Sequence, residues 1–278
     1  MLKISIVTPS YNQAKFIEEC LQSVKRQNHS AVEHIVVDGG SKDSTVEILK
    51  RCSSQPGWRH LKWISEADRG QSDALNKGFQ MARGDVIGWL NADDFYLPGC
   101  FEPVMRAYQR RPKTDVLYGD YLWTDMEGKP FQIRREIAFS KFVLLHNHVV
   151  YICSTAALFF SRRIIQDGYL LNEAYHYAMD YEYFVRLSIA GYRFHHVPVL
   201  LGALRLHSES KTGAQAHKQI EEQEKARREN LARMGQLNGL SGSRLGLTFL
   251  RCLANGRRWG EKALRGHYFT QFRPTSIK

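Results

Sequence analysis

Between residues 4 and 91 the chain alternates four short apolar runs with three stretches of helical spacing, and each apolar run ends in a polar cluster. Ile4-Ser5-Ile6-Val7, His34-Ile35-Val36-Val37, His60 to Ile64 and Asp85 to Leu90 have the length and β-branched content of strands. Phe16, Ile17, Cys20, Leu21 and Val24 recur at helical spacing, Val46 and Leu49 mark a second helix, and Ala74, Leu75, Gly78, Phe79 and Ala82 a third. Asn12 and Asp43 stand where caps for the first two helices are expected. Strands that alternate with helices in this way predict an α/β fold with a mainly parallel sheet and helices on both faces.

The middle of the chain is less regular. Val116-Leu117-Tyr118 reads as a strand, and the Glu127-Gly128 turn before Phe131-Gln132-Ile133 predicts a hairpin. Ala156 to Phe160 and Val197 to Leu201 read as further strands, and Asp180 to Ile189 as a helix closed by Gly191. Residues 136–155 fit neither period.

Composition sets the remaining bounds. With 278 residues, 43% of them hydrophobic, the chain can bury a sizeable core. It contains no apolar run approaching the roughly 18–20 residues that span a bilayer, nor a secretory signal at its start, so a cytoplasmic protein is expected. Five scattered cysteines, Cys20, Cys52, Cys100, Cys153 and Cys252, without a Cys-x-x-Cys pair, fit reduced and mostly buried thiols rather than a zinc site. The net charge is +11, and the segment from Arg244 onward holds eight Lys/Arg against Glu261 alone. The charge excess therefore belongs to the tail.

In an open parallel sheet, ligands bind beyond the carboxyl ends of the strands. There this chain places Thr8-Pro9-Ser10-Tyr11, Asp38-Gly39-Gly40-Ser41, Glu66-Ala67-Asp68-Arg69-Gly70 and Asn91-Ala92-Asp93-Asp94, which should converge on one rim. No glycine-rich phosphate loop follows the first strand, which argues against dinucleotide enzymes and P-loop ATPases. The Asp93-Asp94 pair offers another solution, a divalent cation that carries a diphosphate, although the same pair also suits a cap for the helix that follows.

The series Val7-Thr8-Pro9-Ser10-Tyr11-Asn12, Val36-Val37-Asp38-Gly39-Gly40-Ser41-Lys42-Asp43-Ser44-Thr45, Asp68-Arg69-Gly70-Gln71-Ser72-Asp73-Ala74-Leu75-Asn76-Lys77-Gly78 and Gly88-Trp89-Leu90-Asn91-Ala92-Asp93-Asp94 closely resembles the family-2 glycosyltransferases. The resemblance runs over about residues 3–212 and is most specific in the first hundred. It implies a Rossmann-like GT-A fold, a nucleoside-diphosphate-sugar donor, typically a UDP-sugar, and inversion at the anomeric carbon. Residues 1–212 are then the GT-A domain and 213–278 a basic, helical C-terminal extension.

Carried over by position, the resemblance puts Thr8, Pro9 and Tyr11 at the nucleoside, Asp38 at the base, and Asp68 and Asp73 near the ribose or sugar. The family's Asp-x-Asp falls on Asn91-Ala92-Asp93, so Asn91 and Ala92 belong to the donor site and Asp93 is the expected metal ligand. The resemblance implies a divalent cofactor, Mn²⁺ or Mg²⁺. Asp180 occupies the position of the catalytic base, with Glu182 as fallback; by residue type alone it is also a first-turn acid worth about 0.3–1 kcal/mol through the helix dipole. In Arg205-Leu206-His207-Ser208-Glu209-Ser210-Lys211, His207 is expected to complete the metal shell or touch the diphosphate, and Lys211 to pair with phosphate. His146, His148, His176, His195 and His196 form no ligand-like group and read as structural or acceptor-side. Trp89 reads as core and Trp123 as an acceptor-site aromatic.

The expected acceptor is a glycan or lipid-linked hydroxyl in polysaccharide or glycolipid synthesis, at the inner face of the cell membrane. Two other readings compete. A sugar nucleotidyltransferase also uses metal-bound carboxylates, but brings a glycine-rich basic loop that Thr-Pro-Ser-Tyr replaces. A catalytically silent sugar-nucleotide scaffold need not keep Asp38, Asp93 and Asp180 together. Gln215 to Met234 reads as a self-supporting solvated helix with i,i+4 ion pairs. Residues 235–243 read as a joint. Residues 244–278 either meet a membrane surface or dock on the domain with their basic face solvated; no nucleic-acid motif accompanies the charge.

Overall fold

The computed structural model describes residues 2–147, 154–208, 216–235 and 243–267. The first four strands, β1 (Ile4–Ser10), β2 (Val32–Asp38), β3 (Leu61–Ser65) and β4 (Val86–Trp89), lie parallel in the order β3-β2-β1-β4. Between them run α1 (Ile17–Lys25), α2 (Thr45–Ser54) and α3 (Gln71–Met81). Alternate residues of the buried strands serve opposite faces. Val7, Ile35 and Val37 join the core under α3, while Ile4 and Ile6 pack with Val24 on the other side.

The second half makes the sheet mixed. After the short β5 (Phe95–Tyr96) and α4 (Phe101–Arg110) come β6 (Val116–Thr124), β7 (Pro130–Arg134), β8 (Leu158–Ser161) and β9 (Phe194–Arg205). β8 runs antiparallel between β4 and β6, and β9 returns parallel to β6, so the order across the sheet is β3-β2-β1-β4-β8-β6-β9-β5. The expected hairpin forms, with β7 pairing to β6. Thr155–Ala157 is a short 3-10 turn rather than the start of a strand. Helices α5 (Lys141–His146), α6 (Arg163–Gln166) and α7 (Met179–Ile189) complete this half.

α3 sits so close to β1 that a Cβ on Gly78 would lie 2.3 Å from Val7 Cγ1 and 3.4 Å from Val37 Cγ2. Both valines are buried strand residues with stiff χ1. Gly78→Ala is therefore expected to destabilise the fold by about 1–3 kcal/mol, even after the better helix propensity of alanine. Thermal melts should register this as a drop of about 2–4 °C per kcal/mol. An unchanged or higher melting temperature would contradict the packing.

Two long helices follow β9: α8 (Ala216–Arg233) packs on α7, and α9 (Arg244–Leu264) on α5. α8 departs from the solvated helix expected. The Glu224–Arg228 pair forms at 2.9 Å, but Ala226, Arg227 and Leu231 are buried and Glu229 accepts a hydrogen bond from Tyr175. α9 departs further. Arg258 and Lys262 point inward to the fully buried Glu136, at 2.9 and 3.7 Å, and Arg251 reaches Glu224 at 2.9 Å. The basic face is thus the docked face, because a buried carboxylate needs counter-charge. Of the thiols, Cys20, Cys52 and Cys100 are buried and Cys252 is exposed; Cys153 lies outside the described residues.

Candidate active site

The four polar clusters do meet. The loops after β1, β2, β3 and β4 line one cavity of about 660 Å³, closed on its far side by Leu204, Arg205 and His207 from the end of β9. Pro9, Tyr11, Asp68, Asn91, Ala92 and Asp93 all face it.

Side chains that bridge the loops hold them together. Asn12 has φ 53° and caps no helix: its amide oxygen accepts from Lys42 N and its own N–H donates to Ser41 Oγ. Asp43 accepts from Ala14 N at 2.9 Å, which ties the β1 loop to the start of α2. A Cβ on Gly39 would meet Asp68 Oδ2 at 2.6 Å, so glycine lets the β2 and β3 loops abut.

Several expected donor residues support the wall rather than form it. Asp38 is fully buried, and its carboxylate accepts from Gly40 N, Ser41 N, Ser41 Oγ and Ser65 Oγ. Thr8 is buried and shares a 2.9 Å hydrogen bond with His34 Nε2. Burial, then the neighbouring His60, drives the His34 pKa down to about 3, so this ring is neutral. Asp73 is tied to Arg69 and Lys77. Lys211 lies outside the described residues.

At the opposite end the acidic loop is built around Arg205. This side chain, 2% exposed, is packed between Phe16 and Phe95, with ring distances of 4.8 and 5.3 Å. It donates to Asp93 O and to Glu19, and its backbone N–H donates to Asp94 Oδ1. Asp94 also accepts from Asn91 Nδ2, and its pKa is raised by burial and by the adjacent Asp93 charge. Asn91 Oδ1 is occupied by Trp89 Nε1 and Gln71 Nε2 at 2.9 and 3.0 Å. That leaves Asp93 as the acidic group of this loop facing the cavity with an unburied carboxylate. Its Oδ2 stands 3.2 Å from His207 Nε2, and the His207 ring is packed on Phe16. Among the described residues, no three His, Cys, Asp or Glu side chains gather in metal-binding geometry.

Asp180 is the second residue of α7 and partly exposed. It lies beyond the residues that line the cavity, but next to its wall: Ser72 Oγ donates to Met179 Sδ at 3.1 Å, and the neighbouring Gln71 faces the cavity. The chain entering α7 is held from α8, where Glu222 accepts hydrogen bonds from the backbone N–H groups of His176, Tyr177 and Ala178. Glu182, in contrast, is buried and paired with Arg186 at 2.9 Å. Trp89 is core, as expected, and His196 is a buried partner of Asp120. Trp123 is partly buried beneath Arg134, 4.6 Å from its ring, and pairs in register with the cavity residue Leu204. His148 lies outside the described residues.

Sequence reasoning missed Arg205 and Glu222. The Arg-x-His spacing singled out the stretch around Arg205 without its role, and a glutamate in a highly charged helix carries no local mark of an inward-facing carboxylate.

The chain is similar to several known proteins. Chondroitin synthase of Escherichia coli is 27% identical over 84% of the chain, although the chain spans only 33% of that protein; it likewise spans 36% of a matching Nostoc glycosyltransferase. The structure of Staphylococcus aureus TarS 1–349 in complex with UDP-GlcNAc superposes with a TM-score of 0.66 at 18% identity, over 86% of this chain and 67% of that one. The Pyrobaculum calidifontis mannosyltransferase PcManGT, in complex with GDP-Man and Mn²⁺, superposes with a TM-score of 0.57 at 16% identity, over 92% and 79%. These likenesses give the fold, a GT-A sheet with a C-terminal helical extension. The model of glycosyl transferase family 2 matches residues 5–168, more than half of the length, and the chain belongs to that family.

Proposed function

We propose that residues 1–212 form an inverting, metal-dependent glycosyltransferase that moves a sugar from a nucleoside-diphosphate donor, a UDP-sugar, to a hydroxyl of a glycan or lipid-linked acceptor at the cytoplasmic membrane face. The observation that carries the reading is the single cavity in which four strand-end loops meet Asp93 and His207. The family match and the nucleotide-sugar complexes of the similar folds support it.

The donor set suits a hard divalent cation. Mg²⁺ and Mn²⁺ are commonly held by one or two protein ligands, with substrate phosphates and water filling the octahedron. Asp93 and His207, 3.2 Å apart on adjoining loops, would hold it. When bound, the ion supplies positive charge for the departing diphosphate.

The chain's own residues do the rest. Pro9 and Tyr11 border the nucleoside, the Asp38 turn and Thr8 keep the loops in shape, Asp68 borders the ribose or sugar, and Asp73 backs that loop through its pairs with Arg69 and Lys77. Asn91 and Ala92 set the floor and Lys211 pairs with phosphate. The acceptor oxygen attacks the anomeric carbon as the bond to the diphosphate oxygen breaks, and the Asp180 carboxylate takes the hydroxyl proton.

Donor selectivity tests the reading. UDP and UDP-sugars are expected to raise the melting temperature in Mn²⁺ and much less in EDTA. The stabilisation should be about 2.7 kcal/mol at a ligand concentration of 100 Kd. Release of nucleoside diphosphate accompanies transfer, whereas release of pyrophosphate would identify nucleotidyl transfer instead. Absence of any shift across UDP-, GDP- and TDP-sugars would sink the proposal.

A further inference from the structure

Ten large apolar side chains stand exposed among the described residues, and five of them, Leu245, Phe249, Leu253, Trp259 and Leu264, belong to α9. Leu264 is 91% exposed, Leu245 86% and Trp259 66%. With 3.6 residues per turn these five share one stripe, and the positions between them on that face are Cys252, Gly256, Gly260 and Ala263. The stripe carries no charge over a helix of 21 residues. The opposite face holds the charges that fasten the helix to the body: Arg251 to Glu224, Arg258 and Lys262 to Glu136, and Glu261 to Ala138 N. A helix whose cations face the protein and whose tryptophan, phenylalanine and leucines face outward is inverted relative to an ordinary surface helix.

The charge around the stripe identifies what covers it. Arg257 is exposed beside it, and Arg228 of α8 is 65% exposed nearby. In sequence the chain continues past α9 with Tyr268, Phe269, Phe272, Arg273 and Lys278, and without an acid. Two copies joined through this face would bring two such cationic segments together, at a repulsive cost; an anionic lipid headgroup layer turns the same charge into attraction. Aromatic and leucine side chains flanked by arginine are the chemistry of a helix lying in a bilayer interface.

We propose that the outward face of α9 seats the protein on an anionic lipid bilayer, with Leu245, Phe249, Leu253, Trp259 and Leu264 dipped into the interface and Arg251, Arg258 and Lys262 serving as anchors to the protein. This assignment is independent of the donor chemistry, and its test uses no sugar nucleotide. The full chain is floated with vesicles of phosphatidylcholine and phosphatidylglycerol, and with phosphatidylcholine alone. It is expected to float with the anionic vesicles and more weakly with the neutral ones. The triple variant Phe249→Ser, Trp259→Ser, Leu264→Ser should lose vesicle partitioning at least about tenfold, with an unchanged melting temperature, because these side chains make little contact with the body. Val199→Ser, at an exposed apolar position on β9, should float as the parent does. Three results would overturn the proposal. These are a parent that stays unbound with both vesicle types, a triple variant that floats normally while removal of residues 268–278 abolishes binding, and a parent dimer that the triple variant dissolves without any vesicle binding.

Discussion

Asp180→Asn is expected to bind donor as tightly as the parent protein and to transfer sugar about 10²–10⁴-fold more slowly. The carboxamide matches the carboxylate in shape but cannot take the acceptor proton. The local fold should tolerate it. Asp180 is partly exposed, its Oδ1 accepts from Tyr181 N at 2.8 Å, and an amide oxygen can accept the same bond. The segment entering α7 is held by Glu222 and by the Ser72–Met179 contact, neither of which involves the Asp180 side chain. The expected signature is thus a fall in kcat with donor affinity and melting temperature unchanged. Transfer at the parental rate would remove Asp180 from the chemistry. Glu182 would not be the obvious successor, since it is buried and engaged by Arg186 through two hydrogen bonds.

Asp93→Ala should abolish the Mn²⁺-dependent part of donor binding, a loss on the order of 10²-fold or more. Asn91 is occupied by Trp89 and Gln71, and Asp94 by Arg205 and Asn91, so neither is placed to substitute without rearrangement. The variant should also separate binding from folding. Asp94 has its pKa raised by burial and then by the Asp93 charge. A carboxyl with a raised folded-state pKa favours the fold in its protonated form, and that stability is lost as pH climbs from the unfolded pKa through the folded one. Removing the Asp93 charge lowers the folded pKa and lessens that loss. The metal-free variant should therefore melt no lower than the parent near neutral pH. Calorimetric titration of UDP with and without Mn²⁺, beside apo melting curves, checks both halves. Full metal-dependent binding by Asp93→Ala would refute the ligand assignment.

The first half of the molecule was legible from its residues because the information there is local. A period of two or of 3.6 needs only near neighbours, and a parallel βα order places every strand's carboxyl end on one rim. Thus the clusters at Tyr11, Gly39, Asp68 and Asp93 could be expected together, and they line one cavity. The hairpin of β6 and β7 was marked by its turn for the same reason. What local pattern cannot express is pairing between distant segments. Nothing near Leu158 announces that β8 runs reversed between β4 and β6.

The same limit governs the polar side chains. Asp38 looks like a ligand-facing acid until four donors from its own turn and from β3 are found around it. Glu222 looks like one more solvated glutamate until the backbone before α7 is brought against it. The orientation of α9 is the clearest instance. Its sequence contains an apolar stripe and a basic stripe, and amphipathicity alone would bury the apolar one. The buried Glu136, more than a hundred residues earlier, draws Arg258 and Lys262 inward and leaves Trp259 in the open. The residues thus determined the elements, the rim and the acids at it. The tertiary structure decided which acids face the cavity and which face of α9 faces outward, because the counter-charges and donors that settle those choices come from parts of the chain far away in sequence.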